Sequence, residues 1–160
     1  MKAIVNGVFL LGDQEVKGGA LMFDEAIIGH MPESGLPEGC ELIDAGGCYV
    51  SPGLMDLHIH GYLNEDASDG SAEGIRLIAK ALLENGVTSF LPTTMTVSWA
   101  EIEAAFDVIR ALKKESGQPG FEGAQVLGAH AEGPFINPKR KGAQSEEAIM
   151  PPDADKVLRH

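Results

Sequence analysis

Leu54-Met55-Asp56-Leu57-His58-Ile59-His60-Gly61 is the stretch that decides the fold. Its apolar residues run almost without a break, as in a strand of a parallel sheet covered on both faces. A strand sends alternate side chains to one face, which sets Asp56, His58 and His60 together and Met55, Leu57 and Ile59 opposite. Two imidazoles side by side at a strand end, relieved by Gly61, can share a divalent metal through neutral nitrogens. The plainer reading is two ordinary polar residues at a strand terminus.

Downstream the pattern alternates. Ser71 to Asn85 is expected to be helical, with Ile75, Ile78, Ala79 and Leu82 on one face and Asn85-Gly86 as the stop. Val87 to Pro92 reads as a second strand. Ser98 to about Ser116 reads as a second helix, with Ser98 at the N-cap, Glu101 at the capping-box position and an apolar stripe of Ile102, Ala105, Phe106, Ile109 and Leu112. Gln125 to Ala129 reads as a third strand, and a last helical segment follows Pro151-Pro152. The order β-α-β-α-β-α indicates parallel strands joined by crossover helices.

Upstream, residues 1–51 read as short strands between turns: Ala3 to Leu11 broken at Asn6-Gly7, Ala20 to Phe23, Ala26 to Met31, Cys40 to Ile43 and Cys48 to Ser51. This pattern predicts a small β-sheet or half-sandwich. The expected class is therefore α/β: the small β-sheet of residues 1–51, then residues 52–160 as about three βα units of a TIM-like (β/α)8 barrel. A closed barrel needs about 250 residues, so the 160-residue sequence reads as the N-terminal part of something longer.

The bulk numbers exclude several roles. A formal charge of −12 argues against nucleic acid or an anionic membrane as partner. Cys40 and Cys48 form no disulfide framework and lack Cys-x-x-Cys spacing, which suits a reducing, cytoplasmic setting. The apolar N-terminal stretch is interrupted by Asn6 and Gly7 and meets no cleavage-site pattern, so it is not read as a signal peptide. Nothing approaches about 18 consecutive apolar residues.

A second constellation is Gly128-Ala129-His130-Ala131-Glu132-Gly133-Pro134-Phe135. Glu132 falls at the carboxyl end of the third strand, where parallel α/β enzymes keep their chemistry, and there a carboxylate can complete a metal site begun by His58 and His60. The plainer reading is a cap or a solvent-facing acid. His130 shares a face with Glu132 and is expected to hydrogen-bond near it. Asp56 is read as structural. Thr93 and Thr94 end the second strand and are expected to satisfy loop backbone groups. Lys139, Arg140 and Lys141 suit a phosphate but are read first as a solvated loop. His30 and His160 show no partner pattern, and Met55, Met95 and Trp99 are expected in the core.

Ser51 to Gly61 resembles the first barrel strand of the amidohydrolase superfamily of metal-dependent hydrolases. Within it, Gly86-Val87-Thr88-Ser89-Phe90-Leu91-Pro92-Thr93-Thr94, His130-Ala131-Glu132-Gly133-Pro134-Phe135-Ile136 and Pro138-Lys139-Arg140-Lys141-Gly142-Ala143-Gln144 resemble the N-acetylglucosamine-6-phosphate deacetylase family in sequence, order and separation. That resemblance implies Glu132 as a metal ligand, and His58 and His60 as the ligand pair of those members that can hold two metals. It implies Ala143 and Gln144 against the sugar; Ala131 stands where the motif often has a larger aliphatic residue. The implied cofactor is one or two divalent ions, Zn, Fe, Mn or Co. The implied partners are an amino-sugar phosphate substrate and, at full length, a second copy in a homodimer. The implied reaction is deacetylation of N-acetylglucosamine 6-phosphate to glucosamine 6-phosphate and acetate. The family's catalytic aspartate, two further metal-binding histidines and most phosphate contacts belong to later strands, so no catalytic base is assigned in this sequence and these residues alone are expected to be inactive. Another amidohydrolase, such as a cyclic-amide hydrolase, and a non-catalytic metal-binding or interaction module stand as alternatives.

Overall fold

Asn6-Gly7 breaks the first apolar run and sends its two halves into different sheets. In this computed structural model, which describes residues 1–159, the chain divides into two units, Met1–Pro52 and Gly53–His160. In the first unit, β1 (Lys2–Val5) and β2 (Val8–Leu11) flank Asn6, whose left-handed backbone has φ 53° and whose side-chain amide donates to Asp44 Oδ1 at 2.8 Å. β3 (Gln14–Lys17), β4 (Ala20–Phe23), β5 (Ile27–Met31), β6 (Glu41–Asp44) and β7 (Tyr49–Val50) complete it. One sheet has the order β5-β4-β1-β6 and the other β3-β2-β7. The His30 ring on β5 meets the buried Phe9 ring on β2 edge-on at 4.9 Å, which ties the two sheets. His30 Nε2 also lies 3.0 Å from the Gly18 carbonyl. The expectation missed β3: Gln-Glu-Val-Lys has no apolar contrast, and its pairing depends on the two-residue turn Gly12-Asp13, where Gly12 takes φ 65°.

In the second unit, β8 (Leu54–Ile59) leads to a small hairpin of β9 (Gly61–Tyr62) and β10 (Glu65–Asp66). α1 (Ala72–Leu83), β11 (Val87–Thr94), α2 (Trp99–Ser116), β12 (Gln125–Val126), β13 (His130–Ala131) and α3 (Ala154–Val157) follow. All strand pairs to β11 are parallel. Phe90 pairs with Asp56 on one edge and Val126 on the other, so β11 is central. The result is a mixed α/β fold with a β-rich N-terminal part.

The two long helices, α1 and α2, begin where a serine side chain accepts a backbone N–H, Ser71 from Gly74 and Ser98 from Glu101. Their apolar stripes meet β11 and β12 in a core of Ile75, Ile78, Ala79, Leu82, Phe90, Ile109, Leu112, Ala124 and Val126. Across the helices, Arg76 holds Glu115 through two hydrogen bonds of 2.7 Å each.

The capping box at α2 has a pH signature. Glu101 Oε2 accepts from Ser98 N at 2.9 Å, and the Ser98 hydrogen bonds hold the Glu101 carboxyl below its ordinary value of 4.5. The stability it adds is complete above that ordinary value and is lost as the pH falls through the lower folded value. Ser98→Ala is expected to cost about 1 kcal/mol at neutral pH and to shrink the acid limb of a stability–pH curve measured by urea unfolding.

Three expectations need correction. β8 is not covered on both faces: Leu54, Met55 and Leu57 are 62%, 56% and 57% exposed, because among the described residues β8 pairs only with β11 while the core gathers on β11 and β12. Met55 is therefore not core, and Met95 and Trp99 are only half-buried. The third strand is not continuous over Gln125 to Ala129. Gly128 falls in a gap between β12 and β13, which pair with different ends of β11. The expectation for His160 lies outside the described residues.

Candidate metal centre

β8 delivers His58 from its last turn of pleat and His60 from the residue just past its end, while β13 runs straight into Glu132. Because β8 and β13 lie on opposite edges of β11, their parallel course brings the three side chains together at one end of the sheet. His58 Nε2 lies 3.2 Å from His60 Nε2 and 3.0 Å from Glu132 Oε2, and His60 Nε2 lies 2.8 Å from the same oxygen. Donors around a tetrahedral ion at about 2.0–2.1 Å are about 3.3 Å apart, so this spacing fits one small divalent cation with slight opening. Among the described residues it is the group of three or more such side chains with converging ligand atoms.

The supports are as informative as the donors. His60 Nδ1 lies 3.0 Å from the Thr93 carbonyl; by donating there it fixes the ring so that Nε2 is the nitrogen presented to the site. Thr93 Oγ1 accepts from Ile59 N at 3.1 Å and donates to the Leu91 carbonyl, also at 3.1 Å, so this threonine does satisfy backbone groups. Thr94 Oγ1 is buried and has no hydrogen-bond partner among the described residues. Asp56 Oδ1 accepts from His58 N at 3.0 Å, a structural role. Burial pushes the Glu132 carboxyl up, but hydrogen bonds and charge from His58 and His60 outweigh it and hold the group below its ordinary value. Glu132 thus sits as a carboxylate, ready to ligate.

The hydrogen bond of His130 goes to β8 and not to Glu132. His130 Nδ1 lies 3.1 Å from the Leu57 carbonyl, and its ring meets the His58 ring edge-on at 4.7 Å. Gln144 is 5% exposed, with its amide oxygen accepting from Thr96 N at 2.6 Å, while Ala143 stands exposed beside it. Lys141 Nζ donates to the Gln144 carbonyl at 3.0 Å, and Lys139 and Arg140 are exposed. The structure brings His58, His60 and Glu132 together and leaves Ala143 and Gln144 on the neighbouring loop.

Thr96 is the residue sequence reasoning missed. Buried at 1% exposure, it links the two segments: its N–H goes to Gln144, and its hydroxyl donates to the Glu132 carbonyl at 3.1 Å. Gly133, at φ 96°, passes so close to Thr96 that an added Cβ would overlap the Thr96 hydroxyl. Gly133→Ala is therefore expected to displace the Glu132 turn and to weaken cobalt binding about 10–100-fold in an equilibrium titration, the usual range for loss of a supporting contact.

Comparison with known proteins gives a consistent answer. The sequence profile of the amidohydrolase family matches residues 49–158. An N-acetylglucosamine-6-phosphate deacetylase of Bos taurus is 36% identical over 152 residues, 93% of this chain and 35% of that protein. One of Lysinibacillus sphaericus is 36% identical over 123 residues, 75% of this chain and 30% of that protein. The crystal structure of the Pasteurella multocida deacetylase superposes with a TM-score of 0.87 at 28% identity, covering 99% of this chain and 41% of that one. The sequence therefore spans about a third of the length of these curated relatives.

Proposed function

This chain belongs to the amidohydrolase family, and from that premise we propose that it is the metal-binding N-terminal part of a hydrolase that deacetylates N-acetylglucosamine 6-phosphate. The observation that carries the proposal is the convergence of His58, His60 and Glu132 on one point. Relatives 36% identical over 75–93% of this chain carry the name of that deacetylase. In this reading, residues from Gly53 onward are the first βα units of a (β/α)8 barrel. The sequential parallel order of β8, β11 and β12 supports it, as do the uncovered apolar residues of β8, whose free edge and faces suit further strands.

His58, His60 and Glu132 would hold one divalent cation, with Zn, Fe, Mn and Co all compatible with nitrogen and carboxylate donors. When bound, such a cation supplies Lewis-acid chemistry, activating water and polarising the acetamide carbonyl. The protein's part here is orientation. Thr93 sets the tautomer of His60, Glu132 brings negative charge, and the Gln144 loop, clamped to Thr96, places Ala143 beside the sugar. The proton must pass from water to the departing amine through a further acid–base group, which this reading places outside these residues. Glucosamine 6-phosphate and acetate are the products. A homodimer and a cytoplasmic setting complete the proposal; Cys40 and Cys48 are free thiols, and no helix among the described residues is long and apolar enough to cross a membrane.

The test is acetate release from N-acetylglucosamine 6-phosphate by the natural-length protein, before and after chelation. The expected result is turnover that chelation removes and added metal restores, with no turnover by residues 1–160 alone. Turnover indifferent to chelation, or hydrolysis of a cyclic amide in place of the amino sugar, would contradict it.

A further inference from the structure

We propose that His130 is a positioning residue that fixes the imidazole plane of His58. The inference rests on the metal reading of the site, but its geometry stands without a metal. The two ligand histidines are held differently. His60 is locked by the hydrogen bond from Nδ1 to the Thr93 carbonyl. Among the described residues, none bonds to Nδ1 of His58, whose side chain is 48% exposed. Two rings flank it edge-to-face: His60 at 80° with centroids 5.0 Å apart, and His130 at 82° with centroids 4.7 Å apart. This is a preferred arrangement for aromatic pairs.

His130 is itself anchored. Its Nδ1 donates to the carbonyl of Leu57, the residue immediately before His58. β13 and β8 do not pair with each other, since β11 lies between them. The His130 side chain therefore reaches across the central strand and grips β8 twice, at the Leu57 backbone and at the His58 ring. The strand that ends in Glu132 thus also orients the first histidine, and two donors of the site are set by one short segment. Alanine at position 130 would leave the ring held by the Nε2 contact with Glu132 and by the His60 ring on one side, with nothing against its other side. His60 would stay fixed.

The test compares wild type, His130→Ala and His130→Phe in the natural-length protein labelled with nitrogen-15 at histidine. Phenylalanine keeps the ring against His58 and loses the hydrogen bond to Leu57. In the metal-free state, ring relaxation is expected to show more motion of His58 in His130→Ala than in wild type, with His60 unchanged, and wild-type order of His58 in His130→Phe. Cobalt affinity is expected to fall about 10–100-fold in His130→Ala and to stay near wild type in His130→Phe. If His130→Ala fails to fold, His130→Leu, which fills the space without an aromatic ring, takes its place. An equally ordered His58 in the ringless variant, or a His130→Phe protein that behaves like it, overturns the proposal. Should the wild type take up no cobalt while His58 motion follows the ring at position 130, the metal reading fails and the positioning role stands.

Discussion

Replacing His60 by alanine is expected to abolish divalent-metal binding at the His58–His60–Glu132 site. His60 is the donor with the most built support: Nε2 lies 2.8 Å from Glu132 Oε2, while Nδ1 is held by the Thr93 carbonyl. Its removal takes one of the three converging donors. Loss of a supporting contact alone costs about 10–100-fold in affinity, so loss of the ligand should exceed about 100-fold. The readout is a thermal or urea shift with added cobalt. A ligand at 100 times its dissociation constant stabilises by about 2.7 kcal/mol, and a 100-fold weaker site by about 0.4 kcal/mol. His30→Ala is the control, since His30 lies in the other unit and bonds to Gly18. Binding should weaken as the pH falls, because protons compete for the imidazole nitrogens. An undiminished shift in His60→Ala would contradict the assignment.

Phe90→Ala is expected to be the most damaging substitution for stability, at about 3–5 kcal/mol. Phe90 is fully buried in the middle of β11, paired to Asp56 on one edge and Val126 on the other, with α1 and α2 packed over it. No neighbour can collapse into the space without moving a helix or breaking a strand pair. Against a total stability of about 5–15 kcal/mol for an ordinary domain, the loss should lower the urea midpoint substantially at constant m-value. The same strand carries Thr93, so the site should loosen with it and cobalt affinity should fall in parallel. A change under about 1 kcal/mol would mean that the core is not where the structure puts it.

How much of this was legible in the sequence depended on the local signal. The helices announced themselves, because Ser71 and Ser98 mark their starts and the apolar stripes repeat at helical spacing. His58 and His60 could be placed on one face because a strand has period two, and Glu132 because a parallel strand must end where the chain turns at Gly133-Pro134. The partners of those residues were not legible. β11 shifts register against β8 between Val87 and Ser89 and again between Phe90 and Pro92. Alternation alone therefore cannot say which threonine reaches Ile59 and which is left, as Thr94 is, without a partner among the described residues. His130 was expected beside Glu132, yet its ring crosses to Leu57 and His58, a contact over β11 that no spacing within one segment encodes. Thr96 is one small polar residue in a loop, and nothing in the sequence marks it as the link between Gln144 and Glu132. Met55 sits in an apolar run and reads as core, but exposure depends on which strands lie beside it.

The measurement that bears most directly on the central claim is X-ray absorption of the zinc-loaded natural-length protein beside its His58→Ala/His60→Ala variant. The account predicts nitrogen and oxygen scatterers at about 2.0–2.1 Å with the outer-shell signature of imidazole in the wild type. It predicts loss of zinc, or a smaller imidazole contribution, in the variant. A wild-type spectrum without imidazole scattering, or one the double substitution leaves unchanged, would show that His58 and His60 do not bind the metal.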